Sequence, residues 1–182
     1  HRRLLAKVSA LGIRGKVLDW VGDFLANRKQ RVVVNGVQSE EANVTSGIPQ
    51  GSVIGPIMFV MFINDLPENV KTNVRMFADD TKLYARTDIE GGAQDLQADL
   101  DSLQEWSDKW LLKFHPGKCS VLKLGRQKST SDYYMREKAG DTHEAKKLAE
   151  SEVEKDLGVL VDAKLSFREQ VAQSTAKANR TV

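Results

Sequence analysis

Apolar positions recur at helical spacing over residues 2–11 and again over residues 16–27. In the second stretch Val17, Trp20, Val21, Phe24 and Leu25 share one face, so two helices are expected, broken by Gly12-Ile13-Arg14-Gly15. Residues 31–35 are β-branched and run into Asn35-Gly36, a strong hairpin signal, with residues 37–44 as the returning strand. A loop rich in turn formers follows at residues 45–52. Residues 53–66 then read as a mostly apolar buried helix whose Pro56 is tolerable in the first turn. Next, apolar residues run up to Asp79-Asp80 and resume after it, which reads as strand, tight turn, strand. Residues 89–110 form the clearest amphipathic helix, with Ile89, Ala93, Leu96, Leu100, Leu103 and Trp110 at helical spacing. Residues 121–125 read as a strand, and residues 126–150 are polar and give no firm element. Residues 157–162 form a short apolar strand with a turn, and a helix is expected from Phe167 onward. The order α, β-hairpin, α, β-hairpin, α, β, β, α predicts an α+β domain, an antiparallel sheet packed on helices.

Composition changes this picture little. A chain of 182 residues buries one substantial core. Its net charge of +2 says nothing about partners, but residues 1–31 carry a net +6 and residues 88–108 carry seven acids and no base. A basic end beside an acidic helix fits a polyanion contacted on one side, although solvated helix faces explain the charges equally simply. The single cysteine, Cys119, excludes an internal disulfide framework, fits a reducing compartment, and reads as a small hydrophobe beside an apolar strand. The longest apolar run, residues 53–63, is too short to cross a bilayer. His115 and His143 have no Cys or His partners at zinc spacing. The chain starts at His1 and ends at Thr181-Val182 inside a helical pattern, as a piece of a longer protein would.

The chemistry concentrates in two places. Adjacent carboxylates at Asp79 and Asp80 repel, and holding both charged calls for a cation or donors. Magnesium suits such a pair, because it takes few carboxylates and completes its shell with water and phosphate oxygens. A plain polar turn accounts for the pair equally well. The second place is Ser46-Gly47-Ile48-Pro49-Gln50-Gly51-Ser52, ahead of a helix. Its glycines let the backbone approach a ligand, the helix offers N–H groups to an anion, and Gln50 could bond a sugar or base. Ordinary helix entry is the simpler reading of that loop alone.

Together these segments resemble the palm of non-LTR (LINE-type, jockey-like) retrotransposon reverse transcriptases. Ser46-Gly47-Ile48-Pro49-Gln50-Gly51-Ser52-Val53-Ile54-Gly55-Pro56 is similar to motif B. Phe62-Ile63-Asn64-Asp65-Leu66-Pro67 follows, and Phe77-Ala78-Asp79-Asp80 is similar to motif C. The resemblance implies a right-hand polymerase palm over residues 1–166 and the beginning of a helical thumb over residues 167–182. It implies RNA-directed DNA synthesis by two-metal transfer, with Asp79 and Asp80 holding Mg2+ or Mn2+ and an RNA template, a DNA primer and dNTPs as partners. Gln50, Gly51, Phe77 and Ala78 would line the nucleotide pocket. Lys118 falls at the motif D lysine that protonates the departing pyrophosphate, though the family often has Asn where this chain has His115. Leu157 and Gly158 fall at the primer grip, and Arg28, Lys29 and Arg31 could contact template phosphates.

His1-Arg2-Arg3-Leu4-Leu5 resembles the segment just after motif A. The motif A aspartate, the fingers and the endonuclease domain of such elements are therefore not among these residues. With one carboxylate site short, little polymerase activity is expected of this chain by itself. A catalytically dead remnant that only binds nucleic acid is the alternative, and a two-metal nuclease finds no support in the Pro49-Gln50-Gly51 loop. For the parent element the resemblance implies an intracellular site, nucleus or cytoplasm.

Overall fold

The computed structural model describes residues 1–125, 130–139 and 142–180, with the side chains of residues 138, 139, 142 and 143 outside the description. His143, Thr181 and Val182 therefore carry no structural account. The chain divides into two units, residues 1–69 with 74–82 and residues 70–73 with 83–182.

The first unit is built on three helices, α1 (Arg2–Ala10), α2 (Lys16–Leu25) and α3 (Gly55–Ile63). Leu4 and Val8 on α1, Val21 and Leu25 on α2, and Met58 on α3 form its buried core. Each helix offers apolar residues four apart, so one stripe per helix faces the others. Gly12 and Gly15 turn the chain between α1 and α2 at φ +91° and +58°, a region L side chains avoid.

A buried lysine ties α1 to the end of α3. Lys7 Nζ donates to the Phe62 carbonyl at 2.6 Å and to Asp65 at 2.5 Å, and lies 4.7 Å from the centre of the Phe62 ring. The ammonium thus satisfies a carbonyl that the last turn of α3 cannot. Lys7→Met keeps the apolar stem and strands these acceptors, so unfolding in urea is expected to show a loss of roughly 1–3 kcal/mol. The smaller figure suits Asp65, whose side chain is 37% exposed.

Four short strands, β1 (Lys29–Gln30), β2 (Val33–Val34), β3 (Val37–Gln38) and β4 (Ala42–Asn43), make two nested antiparallel pairs closed at Asn35-Gly36. Two departures from the sequence pattern appear here. The hairpin is broken into two-residue ladders and its valines stay exposed. Helix α3 is shorter than expected and buried on one side only: Met58 and Ile63 are covered, whereas Ile57 and Val60 are 54% and 52% exposed. An all-round apolar helix is expected inside, but the core that α1 and α2 form with this one takes in Met58 and leaves Ile57 and Val60 exposed.

The hairpin formed by β5 (Asn73–Phe77) and β6 (Asp80–Tyr84) carries residues of both units. In the second unit, α4 (Gly92–Trp110) starts three residues later than its apolar stripe and buries Leu103 and Trp106. Trp106 is thus a core residue. Strands β8 (Tyr134–Ala139) and β9 (Thr142–Lys147) form an antiparallel hairpin within a stretch whose residue pattern predicts no firm element. Tyr133, Met135 and Leu148 pack there with Leu96 and Leu100 of α4 and with Phe114, Cys119 and Val121. Cys119 is half-buried, and burial pushes its thiol up. Strand β7 (Ser120–Leu122) pairs in parallel with β10 (Ala149–Ser151). Strands β11 (Val153–Asp156) and β12 (Val159–Asp162) close through Leu157-Gly158, both at positive φ as a type I′ turn requires. Helix α5 (Arg168–Asn179) follows with no buried residue.

The fold is therefore α+β as expected, but the strands do not form one sheet. Among the described residues they make six separate two-stranded ladders, one of them parallel. Period-two alternation specifies a strand and its inner face. It does not specify which strand lies beside it. Among the described residues no helix is long and apolar enough to cross a membrane.

Candidate active-site hairpin

Asp79 and Asp80 sit at the tip of the β5–β6 hairpin, as the apolar flanks predict. The connection is two residues, Ala78 and Asp79, and Asp80 opens β6. Val74, Met76, Thr81 and Leu83 alternate as the half-buried positions, while Phe77, Ala78, Asp79 and Asp80 are exposed, Phe77 by 64%. Ala78 holds φ +52°. Alanine pays about 1–2 kcal/mol for left-handed backbone that glycine would adopt freely.

The donor set fits a divalent cation in part. Two adjacent, solvent-reachable carboxylates offer hard oxygens and leave room for water and phosphate, as magnesium prefers. Among the described residues no group of three or more His, Cys, Asp or Glu converges on one point.

The Pro49–Gly51 loop is a tight turn. The Ser52 amide donates to the Pro49 carbonyl at 3.4 Å, and Gly51, at the third position, has φ +79° as a type II turn asks. Ser52 Oγ donates to the same carbonyl at 2.7 Å and accepts from the Gly55 amide at 3.1 Å. A Cβ on Gly55 would lie 2.8 Å from that hydroxyl, so glycine is required there. The effect is a rigid entry into α3 that leaves Gln50 exposed at the turn's second position. His1 Nε2 and the Gly47 carbonyl, 3.0 Å apart, brace the loop from α1.

Gln50, Gly51, Phe77, Ala78, Asp79 and Asp80 all belong to the first unit, and Lys118, Leu157 and Gly158 to the second. Lys118 is exposed, at the end of a short 3-10 turn, Pro116–Lys118. The turn is tight: a Cβ on Gly117 would lie 3.1 Å from the His115 ring and 3.3 Å from Lys146 Nζ. Leu157, 54% exposed, and Gly158 form the β11–β12 turn.

The three cations expected to meet template phosphates are each engaged within the chain. Arg28 donates to the Phe24 carbonyl at 2.5 Å and stacks 4.3 Å from the Phe24 ring. Lys29 pairs with Glu41 at 3.2 Å, and Arg31 bonds Glu41 and Gln38. Both Lys29 and Arg31 are well exposed, so these pairs are worth little.

Sequence reasoning passed over one residue near the hairpin. Asp99 of α4 is 2% exposed, and its carboxylate accepts from the backbone amides of Lys71 at 2.8 Å and Thr72 at 2.6 Å, immediately before β5. Burial pushes its carboxyl up, but Thr72 and the two amides together pull it below its ordinary value. The available signal was a carboxylate inside the stripe of Leu96, Leu100 and Leu103.

A family model described as reverse transcriptase (RNA-dependent DNA polymerase) matches residues 1–155. Among curated relatives, the RNA-directed DNA polymerase from mobile element jockey of Drosophila funebris is 30% identical over 180 residues, 94% of this chain and 19% of that protein. The jockey polymerase of Drosophila melanogaster is 26% identical over 160 residues, 83% of this chain and 17% of that protein. The probable RNA-directed DNA polymerase from transposon X-element of Drosophila melanogaster is 28% identical over 158 residues, 81% of this chain and 16% of that protein. The chain thus spans about a fifth of the length of these relatives. No solved structure matches.

Proposed function

Because the chain belongs to the reverse transcriptase (RNA-dependent DNA polymerase) family, we propose that it supplies the palm of a non-LTR retrotransposon polymerase that copies RNA into DNA. The observation that carries this reading is the exposed hairpin tip, where a strained Ala78 presents Asp79 and Asp80 within the segment the family model matches. The reaction is attack of a primer 3′-hydroxyl on the α-phosphate of a dNTP. Asp79 is the principal metal ligand and Asp80 the supporting one. Bound magnesium or manganese would activate the hydroxyl and stabilise the leaving oxygen.

The chain's own residues do the rest. Gln50 and Gly51, on their rigid turn, meet the incoming nucleotide with Phe77 and Ala78 as neighbours. Lys118 gives its proton to the departing pyrophosphate, work that suits an ammonium. The Leu157-Gly158 turn offers backbone to the primer end. Arg28, Lys29 and Arg31 trade their internal partners for template phosphates. Residues 1–166 form the palm and residues 167–182 begin a thumb.

A second reading has its own support. Two-metal transfer in this family uses carboxylates from motif A as well as motif C, and these 182 residues carry only the motif C pair. The chain by itself is then a nucleic-acid-binding module. Both readings are tested by incubating it with a primed RNA template, dNTPs and magnesium. The expected result is binding that weakens linearly in log–log plots against salt, with no extension. Robust extension would sink the claim that the chain alone is inactive, and salt-insensitive or absent binding would sink the nucleic-acid role.

A further inference from the structure

Helix α2 presents a row of side chains spaced four apart. Lys16, Trp20 and Phe24 stand on one face of the helix, and Arg28 continues the row just past its end. Phe24 packs on the buried core of the three helices and so anchors the row. The Trp20 ring stacks on it, with centroids 5.8 Å apart and planes 25° from parallel. The chain leaves α2 through Ala26 in extended backbone and Asn27 at φ +53°, which brings Arg28 back onto the helix. Arg28 Nε takes the Phe24 carbonyl, one of those the last turn leaves open, and the guanidinium lies 4.3 Å from the Phe24 ring. Cation, ring, ring and cation thus follow one another, the first three over about 12 Å of helix.

Folding alone gives little reason for this row. The sequence puts Trp20 on the same apolar face as Val21 and Leu25, yet those two are buried and Trp20 is 54% exposed. Among the described residues Lys16 has no partner, Arg28 makes no ion pair, and the Trp20 indole N–H bonds nothing. Exposed apolar side chains are ordinary when scattered singly. An exposed ring held flat on an anchored second ring, between two cations, is a prepared surface. A nucleotide matches both of its parts. The base has an apolar π-face for Trp20, and the phosphates on either side meet Lys16 and Arg28. An apolar protein face would cover the ring but leave the cations uncompensated. Asp19 and Asp23 stand on the same helix outside the row, and residues 1–31 still total a net +6. In a duplex both faces of each base are already covered by its neighbours, so the row selects unpaired strands.

We propose that Lys16, Trp20, Phe24 and Arg28 form a stacking site for the unpaired bases of single-stranded nucleic acid, with Trp20 as the residue that touches the base. The proposal rests on the reading that this chain binds nucleic acid, and it adds which form is held and by which ring.

The test uses the whole 182-residue chain with a single-stranded RNA and with the duplex of the same sequence. By NMR, the Trp20 indole N–H signal moves when the single strand is added and stays when the duplex is added. The signal of Trp106, 3% exposed, stays in both. By fluorescence anisotropy, Trp20→Ala lowers affinity for the single strand about tenfold or more. It leaves duplex affinity and the salt slope unchanged, because no phosphate contact is lost. Trp20→Phe keeps most of the affinity. Lys16→Ala lowers the salt slope on the single strand by about 0.7 and leaves the Trp20 shift in place. Single-strand binding with an unmoved Trp20 signal, or a Trp20→Ala loss equal on single strand and duplex, overturns the stacking site and leaves the nucleic-acid role standing. Absence of binding to either form sinks both. The indole signal is read on the native chain, so a variant that fails to fold does not shield the proposal.

Discussion

Replacing Asp79 by alanine, in a longer polypeptide that joins this segment to a third carboxylate, is expected to lower kcat for primer extension by about three orders of magnitude or more. The reason is where the charge is needed. On the proposed reading Asp79 and Asp80 would hold the divalent cation, whose charge would be needed most when the hydroxyl is attacking and the pyrophosphate is leaving. Its loss therefore falls on the transition state more than on the bound substrates. Accordingly kcat and kcat/KM fall together while the dNTP KM changes little. Primer–template affinity, expected to come from cations spread over the surface, should stay within a small factor of the parent's. Asp80→Ala is expected to act in the same direction. Lys118→Ala loses general-acid assistance, about a hundredfold or more. Single-turnover extension of a primed RNA separates these outcomes. An Asp79→Ala enzyme within tenfold of the parent contradicts the assignment, since tenfold is only about 1.4 kcal/mol of barrier.

The second large effect concerns stability and acid. Asp99→Ala removes the acceptor of two backbone amides in a buried place and leaves both unsatisfied, at an expected cost of roughly 2–5 kcal/mol. The sign of its pH dependence follows from the direction of the shift. Asp99 is held below its ordinary carboxylate value in the folded chain. Its contribution is therefore fully present above the unfolded value, about 3.9, and is lost as pH falls through the folded value. Urea unfolding of the native chain and Asp99→Ala between pH 8 and pH 2 is expected to show a constant gap above about pH 5 that narrows in acid. A gap that widens in acid would show that the buried carboxyl is not held ionised by these amides.

Much of this was legible in the residues. The stripes of α1, α2 and α4 follow from 3.6-residue spacing, because burying one side of a helix needs only that spacing. The tip at Asp79-Asp80 and the turn at Leu157-Gly158 follow from apolar runs interrupted by turn formers. The β8–β9 hairpin did not. Among its described side chains Met135, with Tyr133 and Leu148 beside it, reaches the core, and most of the hairpin's residues are charged or polar. Such a ribbon is specified by what it packs on, in this case Leu96 and Leu100 of α4. Helix α3 misled in the other direction, since an all-round apolar sequence states a wish for cover and not that cover is found. The Glu41 pairs with Lys29 and Arg31 join residues 10 or more apart, across a loop whose path the sequence does not fix. Asp99 was hidden by its company. Six other acids in residues 88–108 look alike in sequence, and only the structure shows one of them turned inward onto two amides.

The account stands on the claim that the hairpin tip holds a divalent cation. The direct measurement is paramagnetic broadening of backbone amides as Mn2+ is added to the 182-residue chain at moderate salt. The prediction is that Ala78, Asp79, Asp80 and Thr81 broaden first, and that Asp79→Ala abolishes this selectivity. The acidic face of α4 is the natural competitor for any cation. Broadening that begins there, with the tip untouched until later, would contradict the account.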